Sequence, residues 1–174
     1  AVTGSNGKTI VKEWIAYLSE DRYKVYKSPK SYNSQIGVPL SVWQMDGTYN
    51  LAVLEAGISL PNEMDKLADI IKPTIGVFTH FGDAHASNFN ADSDRLNEKL
   101  KLFSSCNTII CPDNQSEVLS AIKALGKKTV TWGSSKQSDI HIVTNMAGDY
   151  TLTYQNESHN VTLPHTDKAS IENA

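Results

Sequence analysis

The sequence predicts an α/β fold: a mostly parallel P-loop sheet flanked by helices, with a three-stranded antiparallel meander at its C-terminal end. Three observations predict it. A glycine-rich loop, Gly4-Ser-Asn-Gly-Lys-Thr9, stands between a short apolar run and an amphipathic stretch. Short apolar runs then alternate with helical periodicity as far as Trp132. Beyond Ser138 the apolar period becomes two.

The elements follow in order. Thr9 to Ser19 reads as a helix with Ile10, Trp14 and Leu18 on one face. Lys24 to Tyr26 is a short strand, Pro39 to Gln44 a short helix, and Leu51 to Leu54 a buried strand ending at Glu55. Pro61 starts a helix whose Met64, Leu67, Ala68 and Ile71 form an apolar stripe. A strand over Thr74–Thr79 precedes a helix from Asp92 to Ser105. Thr108–Cys111, a helix over Ser116–Leu125 and Thr129–Trp132 complete a parallel core assigned to residues 1–136. Asp139–Val143, Tyr150–Tyr154 and His159–Leu163 alternate apolar and polar, with turns at Ala147–Asp149 and Asn156–Ser158, giving antiparallel strands over 137–166. Residues 167–174 read as the start of a truncated helix, and only Ala1-Val2-Thr3 precedes the glycine loop, so the chain is expected to be an excised piece.

Composition narrows the function. At 174 residues, 40% hydrophobic and 20% charged, the chain reads as one globular domain. A net charge of −3 argues against a general nucleic-acid binder. No apolar run approaches the ~20 residues that cross a bilayer, and no signal peptide precedes the first motif, so no membrane partner is expected. Cys106 and Cys111 lack zinc-ligand spacing and suit a reducing cytoplasm.

Four groups of residues carry chemistry. In Gly4-Ser5-Asn6-Gly7-Lys8-Thr9 the glycines let backbone N–H groups turn inward onto di- or triphosphate oxygens. Lys8 would neutralise the outer phosphates and the Thr9 hydroxyl would ligate magnesium. Val2 stands where the full P-loop pattern has glycine, and a plain turn with a solvated lysine is the competing reading. Glu55, at the carboxyl end of its strand, is either a hard oxygen ligand for magnesium or a cap on the helix near Pro61. His80, Asp83 and His85 follow another buried strand, where His85 is the candidate metal ligand or proton carrier and His80 reads equally as structural. Lys99 falls on the flank of the Leu96–Leu100–Phe103 stripe, while Glu98 and Lys101 point away from it. A lysine so placed either snorkels, the plainer reading, or loses its proton and takes up carbon dioxide as a metal-binding carbamate.

Taken together, these motifs resemble the central ATPase domain of the Mur ligases, the ATP-dependent enzymes that build the peptide stem of peptidoglycan precursors. The resemblance spans essentially all 174 residues. Gly4–Thr9 is similar to the family's phosphate loop, Glu55-Ala-Gly-Ile58 to its magnesium-binding segment, and Gly82-Asp-Ala-His85 to its metal-binding histidine loop. Lys99, four residues before Phe103, falls where the family carries a carbamylated lysine. Asn33, within Tyr32-Asn-Ser-Gln-Ile-Gly-Val-Pro39, and the Ala84-His85 pair resemble the MurF subtype. His80 departs from the family's usual asparagine and Ala169-Ser170 from its His-Asn, whereas Asn173 matches the asparagine that contacts adenine.

The resemblance implies an amide-forming ligase that joins D-alanyl-D-alanine to a UDP-linked muramoyl tripeptide through an acyl phosphate. It implies ATP on Gly4, Ser5, Asn6, Gly7, Lys8, Thr9 and Asn173, substrate on Asn33, and catalytic roles for Lys8, His85 and Lys99. Two magnesium ions are implied, one on Thr9 and Glu55, the other on His85 and carbamylated Lys99. The missing N- and C-terminal domains would be partners in the same protein. A folylpolyglutamate synthase-like ligase shares most of these residues, and a nucleotide-binding module inactive on its own is the reading from another class.

Overall fold

A computed structural model describes residues 1–146 and 148–162. The predicted helix start at 167–174 and the end of the meander beyond Thr162 lie outside the described residues. The elements run β1 (Val2–Thr3), α1 (Lys8–Ser19), β2 (Val25–Lys27), α2 (Gly37–Trp43), β3 (Leu51–Val53), α3 (Met64–Ile71) and β4 (Ile75–Phe78). Then come α4 (Asp92–Leu100), β5 (Thr108–Pro112), α5 (Ser116–Ala124), β6 (Lys128–Gly133), β7 (Ile140–Met146), β8 (Asp149–Tyr154) and β9 (Glu157–Thr162).

Seven strands form one sheet in the order β1-β4-β5-β6-β7-β8-β9, parallel from β1 to β7 and antiparallel thereafter. The parallel pair β2–β3 is joined to it by a bridge between Val2 and Glu55. β1 therefore lies between β3 and β4, and the chain leaves it toward β2–β3 and returns to β4. That reversal opens a crevice at the carboxyl ends of β1, β3 and β4, where open α/β sheets bind ligands.

One apolar cluster holds α2 to α5 against β4 and β5, with Met64, Leu67, Phe78, Leu100, Phe103, Ile109 and Ile122 at its centre. Phe78 and Phe103 meet edge to face at 6.4 Å. Gly76 makes that possible, because a Cβ there would stand 2.4 Å from the Phe103 ring. The β8–β9 hairpin turns at Gln155 and Asn156, both with positive φ (50° and 68°), a two-residue loop of the type that matches strand twist.

Several element readings are corrected. On α1 the buried residues are Lys12 and Ala16, whereas Ile10 and Leu18 are 40% and 76% exposed, so the apolar stripe does not face the core. α2 begins before Pro39, which sits in the first turn where a missing N–H costs nothing. α3 begins at Met64 rather than Pro61, because Asn62 is left-handed (φ 64°). The helix from Asp92 becomes a 3-10 turn at Lys101–Phe103. The last turn is Gln155–Asn156, so β9 starts at Glu157.

Glu98 is buried, not solvated, because Met64 N–H donates to its Oε1 at 3.0 Å and ties α4 to the open end of α3. Burial alone would raise its pKa, but bonds from Lys101 and from the Met64 and Asn62 N–H groups outweigh burial and bring it below the usual range. No helix among the described residues is long and apolar enough to cross a membrane.

Candidate functional site

The glycine loop leaves β1 and is stitched to the end of β4. Ser5 N–H donates to His80 O at 2.6 Å, and the Thr79 hydroxyl donates to Asn6 O at 2.5 Å. Gly4 is packed so closely that a Cβ would lie 2.1 Å from Thr79 Oγ1, and its φ of 147° disfavours any side chain. Gly7, at φ 81°, turns the chain into α1. Lys8 folds back over the loop, its ammonium donating to Gly4 O at 3.1 Å and Ser5 O at 3.0 Å. Burial lowers the Lys8 pKa, and the charge of Glu55 partly offsets the shift.

Glu55 follows β3 and is fully buried. Its Oε1 accepts from Asn33 Nδ2 at 2.8 Å, while Oε2 has no hydrogen-bond partner among the described residues. Lys12, also fully buried, approaches that free oxygen to 4.0 Å. A buried carboxylate oxygen left unbonded is costly unless something occupies it. Its chemistry, an anionic hard oxygen beside a phosphate loop, fits magnesium.

His85 and Lys99 reach the site from the other side. The loop after β4 is clamped by Arg95 on α4, which is buried and donates to Gly82 O and, at 2.7 Å, to Ala84 O. Arg95 also pairs with Asp92 and lies 4.5 Å over the Phe81 ring. Gln115 holds Phe81 by both its N–H and its carbonyl, at 2.8 and 2.7 Å. His85 ends this clamped segment in a left-handed conformation (φ 63°), with its side chain exposed.

Lys99 is buried, with its Nζ 3.3 Å from Gly4 O, the carbonyl that also receives Lys8. Burial, then the charges of Lys8 and Arg95, lower its pKa from 10.5 to about 8. It is therefore not a snorkelling lysine, and a buried amine that releases its proton near neutrality fits carbamate formation.

Lys8, Asn33, His85 and Lys99 line one open cavity of about 220 Å³, together with Gln35 and Ile58. Glu55 stands behind Asn33. Thr9 does not line this cavity; its hydroxyl lies 3.3 Å from Ser31 Oγ. His80 acts through its backbone, paired with Ser5 and Asn6. Asn173 lies outside the described residues. Among those residues no three His, Cys, Asp or Glu side chains gather as a metal-binding group. A divalent ion here would rest on few protein ligands plus phosphate and water, as magnesium does.

Sequence reading missed Lys12, Arg95 and Gln115. Lys12 lies one turn after Lys8, and Arg95 one turn before Lys99, so the i, i+4 spacing was the available signal.

A family model, the Mur ligase middle domain, matches residues 2–174. The UDP-N-acetylmuramoyl-tripeptide–D-alanyl-D-alanine ligase of Borreliella burgdorferi is 41% identical over 102 residues, 59% of this chain and 22% of that protein. MurF from Acinetobacter baumannii superposes with a TM-score of 0.85 at 21% identity, covering 99% of this chain and 39% of that one. MurF ligase from Thermotoga maritima, in complex with ADP, gives 0.85 at 21% identity and covers 99% and 42%. The chain thus spans well under half the length of each of these relatives. It belongs to the Mur ligase family, as that family's middle domain.

Proposed function

We propose that this chain is the ATP-binding core of a cytoplasmic MurF-type ligase, which joins D-alanyl-D-alanine to UDP-linked muramoyl tripeptide. The observation that carries the reading is the convergence of Lys8, Asn33, His85 and Lys99 on one cavity, backed by the free Glu55 oxygen. The names of the relatives support the substrates, and the ADP in the Thermotoga maritima complex supports the nucleotide.

An oxygen of the tripeptide's terminal carboxylate attacks the γ-phosphorus of ATP. The new carboxyl oxygen–phosphorus bond forms, the bond to the β-phosphate oxygen breaks, and ADP leaves. The amine nitrogen of the dipeptide then attacks the acyl carbon, inorganic phosphate leaves, and the amine proton passes to solvent. The protein contributes mainly positioning and charge neutralisation. Loop N–H groups other than that of Ser5, which is held by His80 O, bind the phosphates together with those at the start of α1. Lys8 exchanges its two loop carbonyls for phosphate oxygens. Asn33 holds Glu55 from one side and meets substrate on the cavity side, and Asn173 would contact adenine. Thr9 and Glu55 would hold one magnesium, and His85 with a carbamate on Lys99 a second; such ions would supply charge neutralisation. The protein's N-terminal and C-terminal domains would bring the UDP part and the amine.

The test is ligation by the full-length protein with Mg-ATP, read as product mass. UDP-muramoyl tripeptide plus D-Ala-D-Ala should give the pentapeptide product, and a folate plus glutamate should give none. The reverse result would move the protein to the folate branch and overturn the substrate assignment.

A further inference from the structure

We propose that Lys12 is a positioning residue for Glu55, a buried counter-charge that holds the carboxylate without occupying its free oxygen. The inference rests on the reading of Glu55 as a metal-binding group. Lys12 has three protons, and each has another acceptor: Ser28 O at 2.7 Å, Lys30 O, and Glu13 Oε1 at 3.0 Å. None is left for Glu55 Oε2, which stands 4.0 Å away, within reach of the charge but not of a hydrogen bond. A fully buried carboxylate needs compensating charge, and a direct hydrogen bond would supply it but would take one of the two lone-pair sites on the oxygen that a cation would share. The observed arrangement supplies the charge and leaves both sites.

Two further features make Lys12 the resident partner. Lys8 also acts on Glu55 through its charge, but in the proposed reaction Lys8 is committed to phosphate. Lys12 is anchored away from the cavity and is present whatever the loop holds. Its grip on Ser28 and Lys30 also fixes the segment that leads to Asn33, the partner of the other Glu55 oxygen. One side chain on α1 thus sets both ends of the carboxylate. Outer residues of this kind change metal affinity by about 10- to 100-fold when altered.

The test uses the full-length protein with Lys12→Met, Glu55→Gln, the double variant and Lys12→Arg, read by Mn²⁺ affinity in the presence of ADP and by thermal melting. Lys12→Met should weaken Mn²⁺ binding about tenfold or more while leaving ADP affinity in EDTA within about twofold, with partial rescue by Lys12→Arg. Lys12→Met should also lower the melting temperature of this domain's own transition by about 10 °C alone and by much less in the Glu55→Gln background, because the charge it serves is gone. Additive melting shifts, or equal loss of metal-free ADP binding, would overturn the proposal. If Glu55→Gln leaves Mn²⁺ affinity unchanged, the metal reading of Glu55 fails, and the melting cycle still decides whether Lys12 serves Glu55.

Discussion

Gly4 has no room for a side chain, since a Cβ would meet Thr79 Oγ1 at 2.1 Å with φ at 147°. Gly4→Ala should therefore displace the loop and abolish ADP binding measured by calorimetry, and unchanged affinity would contradict the packing argument. Lys99 gives a prediction with a sign. Its pKa near 8 lies below the 10.5 of an unfolded lysine, so between these values the folded protein binds fewer protons and gains stability as pH rises. The same titration makes the neutral amine available above about pH 8, and a carbon-13 carbamate signal should grow there and vanish in Lys99→Arg. Arg95→Ala should cost about 3 kcal/mol in denaturant unfolding, because it removes a buried, hydrogen-bonded charge that clamps the His85 loop. Lys8, Glu55 and His85 stood out in the sequence because their motifs follow strands, whose ends topology gathers, and Lys99 because it flanks an apolar stripe on a helix. Lys12 and Arg95 were not, because a buried charge looks like a solvated one until its partners, distant in sequence, are known.

At the scale of elements, periodicity found the α-helices of the parallel core and its strands from β2 on, but missed the 3-10 turn at Ala86–Asn88 and misjudged the inward face of α1 and the burial of Glu98 on α4. The stripe Ile10–Trp14–Leu18 reads as core, yet α1 turns Lys12 and Ala16 inward, where Ser28 O and Lys30 O accept from the Lys12 ammonium. Leu18→Glu should accordingly change stability by no more than about 0.5 kcal/mol, whereas Ala16→Leu should cost about 1–3 kcal/mol by overpacking. The opposite order in a denaturant series would restore the sequence-based face. The boundaries that moved were set by single residues: left-handed Asn62 delays α3, and Gln155–Asn156 shortens the last turn. Such conformations follow from contacts and turn geometry that a hydrophobic pattern does not encode.

At the scale of the molecule, the order β3-β1-β4 puts the glycine loop, Glu55 and the His85 loop at one edge, and the site follows from that topology. The chain covers 39% and 42% of two MurF structures on which it superposes, and by itself it should bind Mg-ATP weakly and turn over little. Robust ligation by the chain alone would contradict this. We propose a division of labour in which Lys8 holds nucleotide and Lys99 serves the chemistry. The direct measurement is ATP affinity beside phosphate release for Lys8→Ala and Lys99→Ala in the full-length protein, with both peptide substrates present. Lost affinity in the first, and retained affinity with phosphate release reduced by about a hundredfold or more in the second, is the predicted result. Equal loss of ATP affinity in both variants would contradict it.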